Sequence, residues 1–249
     1  MLAHPKERTL PTPAAGLLVV IPALNEADSI GRVVRSAIDV LGATVVVIDD
    51  GSADETHTLA RAAGAVVVRH PFNLGVGAAV RTGLRYAVEW GHSPVLQLDG
   101  DGQHPAPQAK LLLHRLEEGD VDLVIGSRFA SGYDVSFLRR QAMRLLSRLV
   151  TRRLGVRIAD TTSGFRAFGA TAIRALHDCY PSAYLSDTVE ALLIAADKDL
   201  RVAEVDVQMA LRETGRPSSG RLRSLAYLVR VLLVVLLHRF RDPIQRRRS

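Results

Sequence analysis

The sequence predicts an α/β protein built on a mostly parallel central sheet with helices on both faces. Three observations carry this expectation. Short apolar runs alternate with amphipathic segments through the first half of the chain. The runs are continuously apolar, which marks strands covered on both sides rather than strands with one wet face. Polar residues rich in carboxylates follow the runs, at the edge where open α/β sheets bind ligands.

The elements follow in order. Residues 1–16 are polar and contain proline, and are expected to be a disordered lead-in. Residues 17–21 read as a strand ended by Pro22. Ile30, Val33, Val34, Ala37, Ile38 and Leu41 recur at helical spacing. Residues 44–48 are a β-branched run closing on Asp49-Asp50-Gly51-Ser52, and Asp54 reads as the cap of a helix reaching about residue 63. Strands are expected at 65–68, 95–98 and 123–125, and helices at 77–90 and 105–116.

In the second half, residues 137–154 read as a helix on which Arg140, Arg144, Arg148 and Arg152 recur every four residues as one cationic stripe. A loop at 160–165, a helix at 184–197 and strand material within 202–211 come next. A polar loop at 215–220 and an amphipathic helix at 222–240 complete the pattern. The domain expected is 17–220, with a first half at 17–127 and a second at 128–220, followed by the helix and basic tail of 221–249.

Composition sets limits on function. With 249 residues, 47% hydrophobic and 23% charged, the chain can bury a sizeable core and is not globally disordered. The single cysteine, Cys179, excludes an intrachain disulfide and a cysteine zinc site, and fits a reducing compartment. No signal peptide is read. The most apolar stretch, 225–237, is interrupted by Arg230; as a helix it spans about 20 Å against a hydrocarbon core of roughly 30 Å, so no membrane span is expected.

The net charge of +6 hides a split: residues 1–127 carry 10 Lys and Arg against 15 Asp and Glu, and residues 128–249 carry 22 against 11. An acidic half can host a cation and a basic half can face an anion.

Three constellations carry chemistry. Asp99-Gly100-Asp101, followed by Gln103-His104-Pro105, places two carboxylates at a strand end. They can hold a hard divalent ion whose remaining positions go to substrate phosphates and water; the plainer alternative is a strand-to-helix turn with an aspartate cap. Asp49-Asp50-Gly51-Ser52 can accept hydrogen bonds from a nucleobase or ribose, or can serve as a solvated turn. Asn73-Leu74-Gly75-Val76-Gly77, with Arg81 and Gly83, lets the chain pass close to a nucleotide. The dinucleotide fingerprint and the P-loop are both missing, which argues against a dehydrogenase and a P-loop phosphotransferase.

Five motifs occur in order: Val20-Ile21-Pro22-Ala23-Leu24-Asn25-Glu26, Val47-Ile48-Asp49-Asp50-Gly51-Ser52, Asn73-Leu74-Gly75, Leu98-Asp99-Gly100-Asp101-Gly102-Gln103-His104-Pro105 and Gly126-Ser127-Arg128. Together they resemble family 2 glycosyltransferases of the GT-A fold, most of all the branch of dolichol-phosphate mannosyltransferases and polyprenyl-phosphate sugar transferases. The resemblance covers roughly residues 17–220.

It implies that Pro22, Asn25 and Glu26 line a nucleotide pocket with Gly75, Arg81 and Gly100, that Asp50 contacts the base, and that Asp99 lies near the ribose and diphosphate. It implies that Asp101 and Gln103 hold Mg2+ or Mn2+ against the diphosphate. Arg128 and Arg140 take the place of phosphate-binding arginines that act with Asp101 in catalysis, with Arg144 beside them. Ser163 and Gly164 belong to an Asp-x-x-Ser-Gly-Phe loop, and Arg212 and Ser218 to a loop that closes over the donor. Two departures stand out: the lysine usual in that last loop is missing from 215–220, and the serine usual after the acceptor arginine is replaced.

The implied activity is inverting transfer of a hexose from a GDP-mannose or UDP-glucose type donor to a polyprenyl phosphate. The implied setting is an anionic membrane surface on the cytoplasmic face, with a membrane-protein partner or a second copy of the chain and with no nucleic acid. An anionic acceptor needs no strong protein base, whereas a soluble or cell-envelope hydroxyl acceptor would, and Asp187 and Glu190 are the candidates. Both also read as a helix cap and a first-turn acid. The rivals are a sugar-nucleotide pyrophosphorylase, whose glycine-rich signature after the first strand is missing, and a basic nucleic-acid- or membrane-binding module. No helix-turn-helix, zinc or RNA-binding motif stands out for the latter.

Overall fold

A computed structural model describes residues 16–127, 137–182 and 187–210. In chain order these form β1 (Leu18–Ala23), α1 (Ala27–Leu41), β2 (Thr44–Asp49), α2 (Thr56–Ala62), β3 (Val66–Arg69), α3 (Val76–Glu89), β4 (Val95–Gln97) and α4 (Ala106–Glu117). There follow β5 (Leu123–Ser127), α5 (Phe137–Leu154), β6 (Arg166–Phe168), α6 (Ala170–Leu176), α7 (Asp187–Asp197) and β7 (Val202–Asp206).

The strands make one sheet in the order β3-β2-β1-β4-β6-β5-β7. Every pairing is parallel except those of β6, which runs antiparallel between β4 and β5. Alternate residues of each central strand feed two cores. Leu18, Val20, Val46 and Ile48 pack with apolar residues of α3, α5, α6 and α7. Val19, Ile21, Val45 and Val47 pack with α1, α2 and α4. Both faces are therefore dry, which is why these strands read as continuous apolar runs.

Three expectations need correction. β1 does not stop at Pro22 but continues to Ala23, with Pro22 in register with Ile48. The ladder to β4 ends at Val20, so Pro22 has a sheet partner on one side only, a place where a missing N–H is tolerated. The helix after β2 opens at Thr56, and Asp54 serves two helices. It accepts the Thr56 amide at 3.0 Å and, through its other oxygen, the amide of Ala27 at the start of α1 at 3.1 Å. Strand β6 and helix α6 have no counterpart among the expected elements: three residues beginning with an arginine and a helix of seven residues are too short to carry periodicity. The lead-in, loop and helix expected at 1–16, 215–220 and 222–240 fall on residues outside the described ones, apart from residue 16, and within the described residues no helix is long and apolar enough to cross a membrane.

Candidate active site

The carboxyl ends of β1, β2 and β4 lie side by side, and β6 reverses direction so that its first residue joins them. This topology collects residues distant in sequence at one edge of the sheet.

The loop after β1 is held against the loop after β2. Asn25 adopts a left-handed φ of 55°, donates its amide to Ser52 Oγ at 2.9 Å, and accepts the Ala53 amide on Oδ1 at 2.8 Å. The Glu26 amide donates to Thr56 Oγ1 at 2.8 Å. Ser29 Oγ ties this corner to β4 by donating to the Gly100 carbonyl at 2.7 Å. Pro22 and Glu26 are half-buried around it.

Asp49 and Asp50 diverge in role. Asp49 is fully buried, accepts the Ser52 amide at 2.9 Å and pairs with Arg69 at 3.0 Å. Asp50 is 4% exposed and faces the next loop. It takes His70 Nδ1 at 2.7 Å and the amides of Leu74 at 2.9 Å and Gly75 at 2.8 Å. Arg81 lies half-buried in α3, and Gly75 is buried at that helix's start.

Asp99 and Asp101 sit on the turn after β4. The Asp99 amide donates to His104 Nδ1 at 3.0 Å, which places the imidazole proton on Nε2, 3.5 Å from Asp99 Oδ2. Buried His104 in turn stacks on Phe165 at 4.7 Å between ring centres. Asp101 accepts the Gln103 amide at 3.0 Å. Gly164 lies beside the Asp99 carboxylate: an added Cβ there would stand 3.0 Å from Asp99 Oδ1 and crowd it.

Beneath the turn, Arg166 is completely buried. It donates to the carbonyls of Ser163 and Thr188, each at 2.9 Å, and to the Tyr180 hydroxyl at 3.3 Å. Burial pushes the Asp187 carboxyl up to about 6 against the opposing pull of Arg166, and Asp99 adds to the rise. Burial likewise pushes the Tyr180 phenol up to about 12.

A family model for glycosyl transferase family 2 matches residues 18–176. The chain belongs to that family. It is 30% identical over 209 residues to undecaprenyl-phosphate mannosyltransferase of Micrococcus luteus, spanning 80% of this chain and 85% of that one. It is 29% identical over 217 residues to polyprenol monophosphomannose synthase of Mycolicibacterium smegmatis, spanning 82% and 80%. Among solved structures, glucosyl-3-phosphoglycerate synthase from Mycobacterium tuberculosis, in complex with Mn2+, UDP and phosphoglyceric acid, superposes with a TM-score of 0.69 at 25% identity. The match covers 91% of this chain and 78% of that one.

As a glycosyltransferase of the GT-A fold, the chain brings Pro22, Asn25, Glu26, Asp50, Gly75, Asp99, Gly100, Asp101 and Gln103 to one edge. The donor set suits a hard cation in one specific way. Among the described residues no three His, Cys, Asp or Glu side chains gather into a complete metal cage. The turn after β4 carries the carboxylates of Asp99 and Asp101 and the amide oxygen of Gln103, oxygen donors of the kind a hard cation takes beside water and phosphate.

Ser163 is placed differently. It is fully buried, and its hydroxyl accepts the Phe165 amide at 3.2 Å, a bond that shapes the loop. Arg144 is exposed on α5. Arg128, Arg212, Ser218 and the side chain of Arg140 lie outside the described residues. In the sequence, His104 falls within the Asp99–Pro105 motif but without a role of its own, and neither His70 nor Arg166 is singled out. An arginine between Phe165 and Phe168, in a segment otherwise apolar, was the available signal for Arg166.

Proposed function

We propose that this glycosyltransferase moves a hexose from a nucleotide-diphosphate sugar to a polyprenyl phosphate at a membrane surface. The observation that carries the acceptor half of this reading is the arginine stripe of α5. Arg144, Arg148 and Arg152 are exposed, while Leu146 and Val150 on the same helix are buried. Such a face complements anionic headgroups and a lipid-linked phosphate. The relatives named for undecaprenyl-phosphate and polyprenol substrates support the same acceptor class.

In the reaction, an acceptor phosphate oxygen attacks the anomeric carbon as the bond to the donor diphosphate breaks. A single in-line displacement inverts that centre. Asp101 and Gln103 would hold Mg2+ or Mn2+, with Asp99 beside them toward the ribose and diphosphate, and the ion when bound would offset charge on the leaving diphosphate. His104 fixes the backbone of Asp99 through the Asp99 amide, and Gly164 leaves room for the Asp99 carboxylate. The nucleophile is already an anion, so no protein base is required. Support for the cation comes from the solved relative bound to Mn2+ and UDP.

A hydroxyl acceptor is the second reading. Two observations favour it: the same solved relative holds phosphoglyceric acid, and Asp187 is a buried carboxyl held near 6, suited to act as a base.

The test supplies labelled GDP-mannose or UDP-glucose, polyprenyl phosphate and Mn2+ or Mg2+. Label is expected in lipid-extractable product, with Asp101→Ala slowing transfer at least about a hundredfold. Full activity of Asp101→Ala in the presence of chelator would refute the mechanism.

A further inference from the structure

We infer that His70 is a positioning residue for the donor nucleotide, acting through Asp50 on the loop that opens α3. The inference rests on the nucleotide-sugar reading of the site above and names a residue to which that reading gives no role.

His70 follows β3 directly and is 8% exposed. Its amide donates to the Asp49 carbonyl at 2.8 Å, which anchors its backbone to the end of β2. Its ring then bridges two elements. Nδ1 meets Asp50 Oδ1 at 2.7 Å, and Nε2 meets Thr82 Oγ1 of α3 at 3.0 Å.

The direction of the first bond follows from a donor count. An ionised carboxylate only accepts, and Asp50 already takes the Leu74 and Gly75 amides, so Nδ1 is the donor. Asp50 is thus held from both sides, by the imidazole behind it and by two consecutive amides in front. Those amides belong to the glycine-rich loop, and Gly75 is the residue from which α3 starts. The position of the loop therefore depends on where the Asp50 carboxylate is held, and His70 holds it. Without His70 the carboxylate would keep one loop amide on each oxygen but lose the charge-assisted partner at 2.7 Å that ties it, and the loop with it, to the end of β3.

The side chains of Asn and Gln separate this role from mere space filling. The Asn amide nitrogen sits close to the position of Nδ1, and the Gln amide nitrogen close to that of Nε2. His70→Asn can keep the bond to Asp50, and His70→Gln can keep only the bond to Thr82.

The experiment measures GDP and UDP binding by calorimetry in the presence of Mn2+, together with donor and acceptor KM for any variant that turns over. His70→Gln is expected to weaken the bound nucleotide and raise donor KM by roughly tenfold or more, with acceptor KM unmoved. His70→Asn is expected to recover most of that loss. Equal behaviour of the two variants, whether both intact or both impaired, would overturn the proposal. Should His70→Gln fail to fold, nitrogen-15 shifts of the wild-type imidazole decide: a protonated Nδ1 supports the proposal and a bare Nδ1 refutes it. Failure of the wild-type protein to bind either nucleotide would instead refute the donor-site reading, so the two failures are distinguishable.

Discussion

A single buried carboxyl, Asp187, separates the two acceptor classes. If the acceptor is a phosphate, its own oxygen is the nucleophile, and Asp187→Asn should cost less than about tenfold in kcat. If the acceptor is a hydroxyl, loss of the base should cost about 10²- to 10⁴-fold. The same residue makes a prediction about stability. Burial holds its carboxyl up at about 6, above the ordinary 3.8. Its contribution is therefore full below the ordinary value and is lost as pH rises through about 6. Between pH 5 and 7 the wild-type protein should lose about 1 kcal/mol more than Asp187→Asn, measured by urea unfolding without metal. An identical pH slope in the two proteins would show that Asp187 takes up no proton on folding. The sequence names Asp187 as a possible base, but its burial, which raises its carboxyl against the pull of Arg166, comes from long-range packing such as the close approach of Gly77 on α3, where an added Cβ would stand 2.8 Å from Asp187 Cβ. Long-range packing of that kind leaves no periodic trace.

Elements in this fold meet through close backbone approach as much as through apolar area. Helix α3 lies on β1 at Gly83, where an added Cβ would fall 2.3 Å from Val20 Cγ1. Gly83→Ala should destabilise the protein by about 1–3 kcal/mol through overpacking. Trimming the partner in Val20→Ala should relieve that clash. The double variant is then expected to be more stable than the sum of the single changes by at least about 0.5 kcal/mol. Strict additivity in denaturant midpoints would contradict this contact. Elements were legible wherever the pattern was long. The α5 limits, Phe137–Leu154, agree with the expected 137–154, and β2, α3 and α4 differ by a residue or so at their ends. Strand β6 was invisible because Arg166 opens it and only Ala167 and Phe168 follow. That strand runs antiparallel to both of its described neighbours, and the loop leading into it brings Gly164 beside Asp99.

At the scale of the molecule, the two halves of the charge split share one sheet. The acidic half supplies Asp50, Asp99 and Asp101, while β5 from that half lies between β6 and β7 from the basic half in a single sheet. The basic half presents the exposed arginines of α5. Replacing Arg144, Arg148 and Arg152 together with Gln should weaken binding to anionic liposomes by roughly a hundredfold at low salt, at about 1 kcal/mol per arginine. The wild-type affinity should fall with rising ionic strength. Unaltered liposome binding by the triple variant would remove the stripe from the account. The most direct measurement offers the enzyme a labelled nucleotide sugar, Mn2+, and equal amounts of polyprenyl phosphate and phosphoglyceric acid, then separates organic from aqueous product. Label recovered in the organic phase, and lost with Asp101→Ala, is the predicted result. Label confined to the aqueous phase would contradict the lipid-acceptor claim.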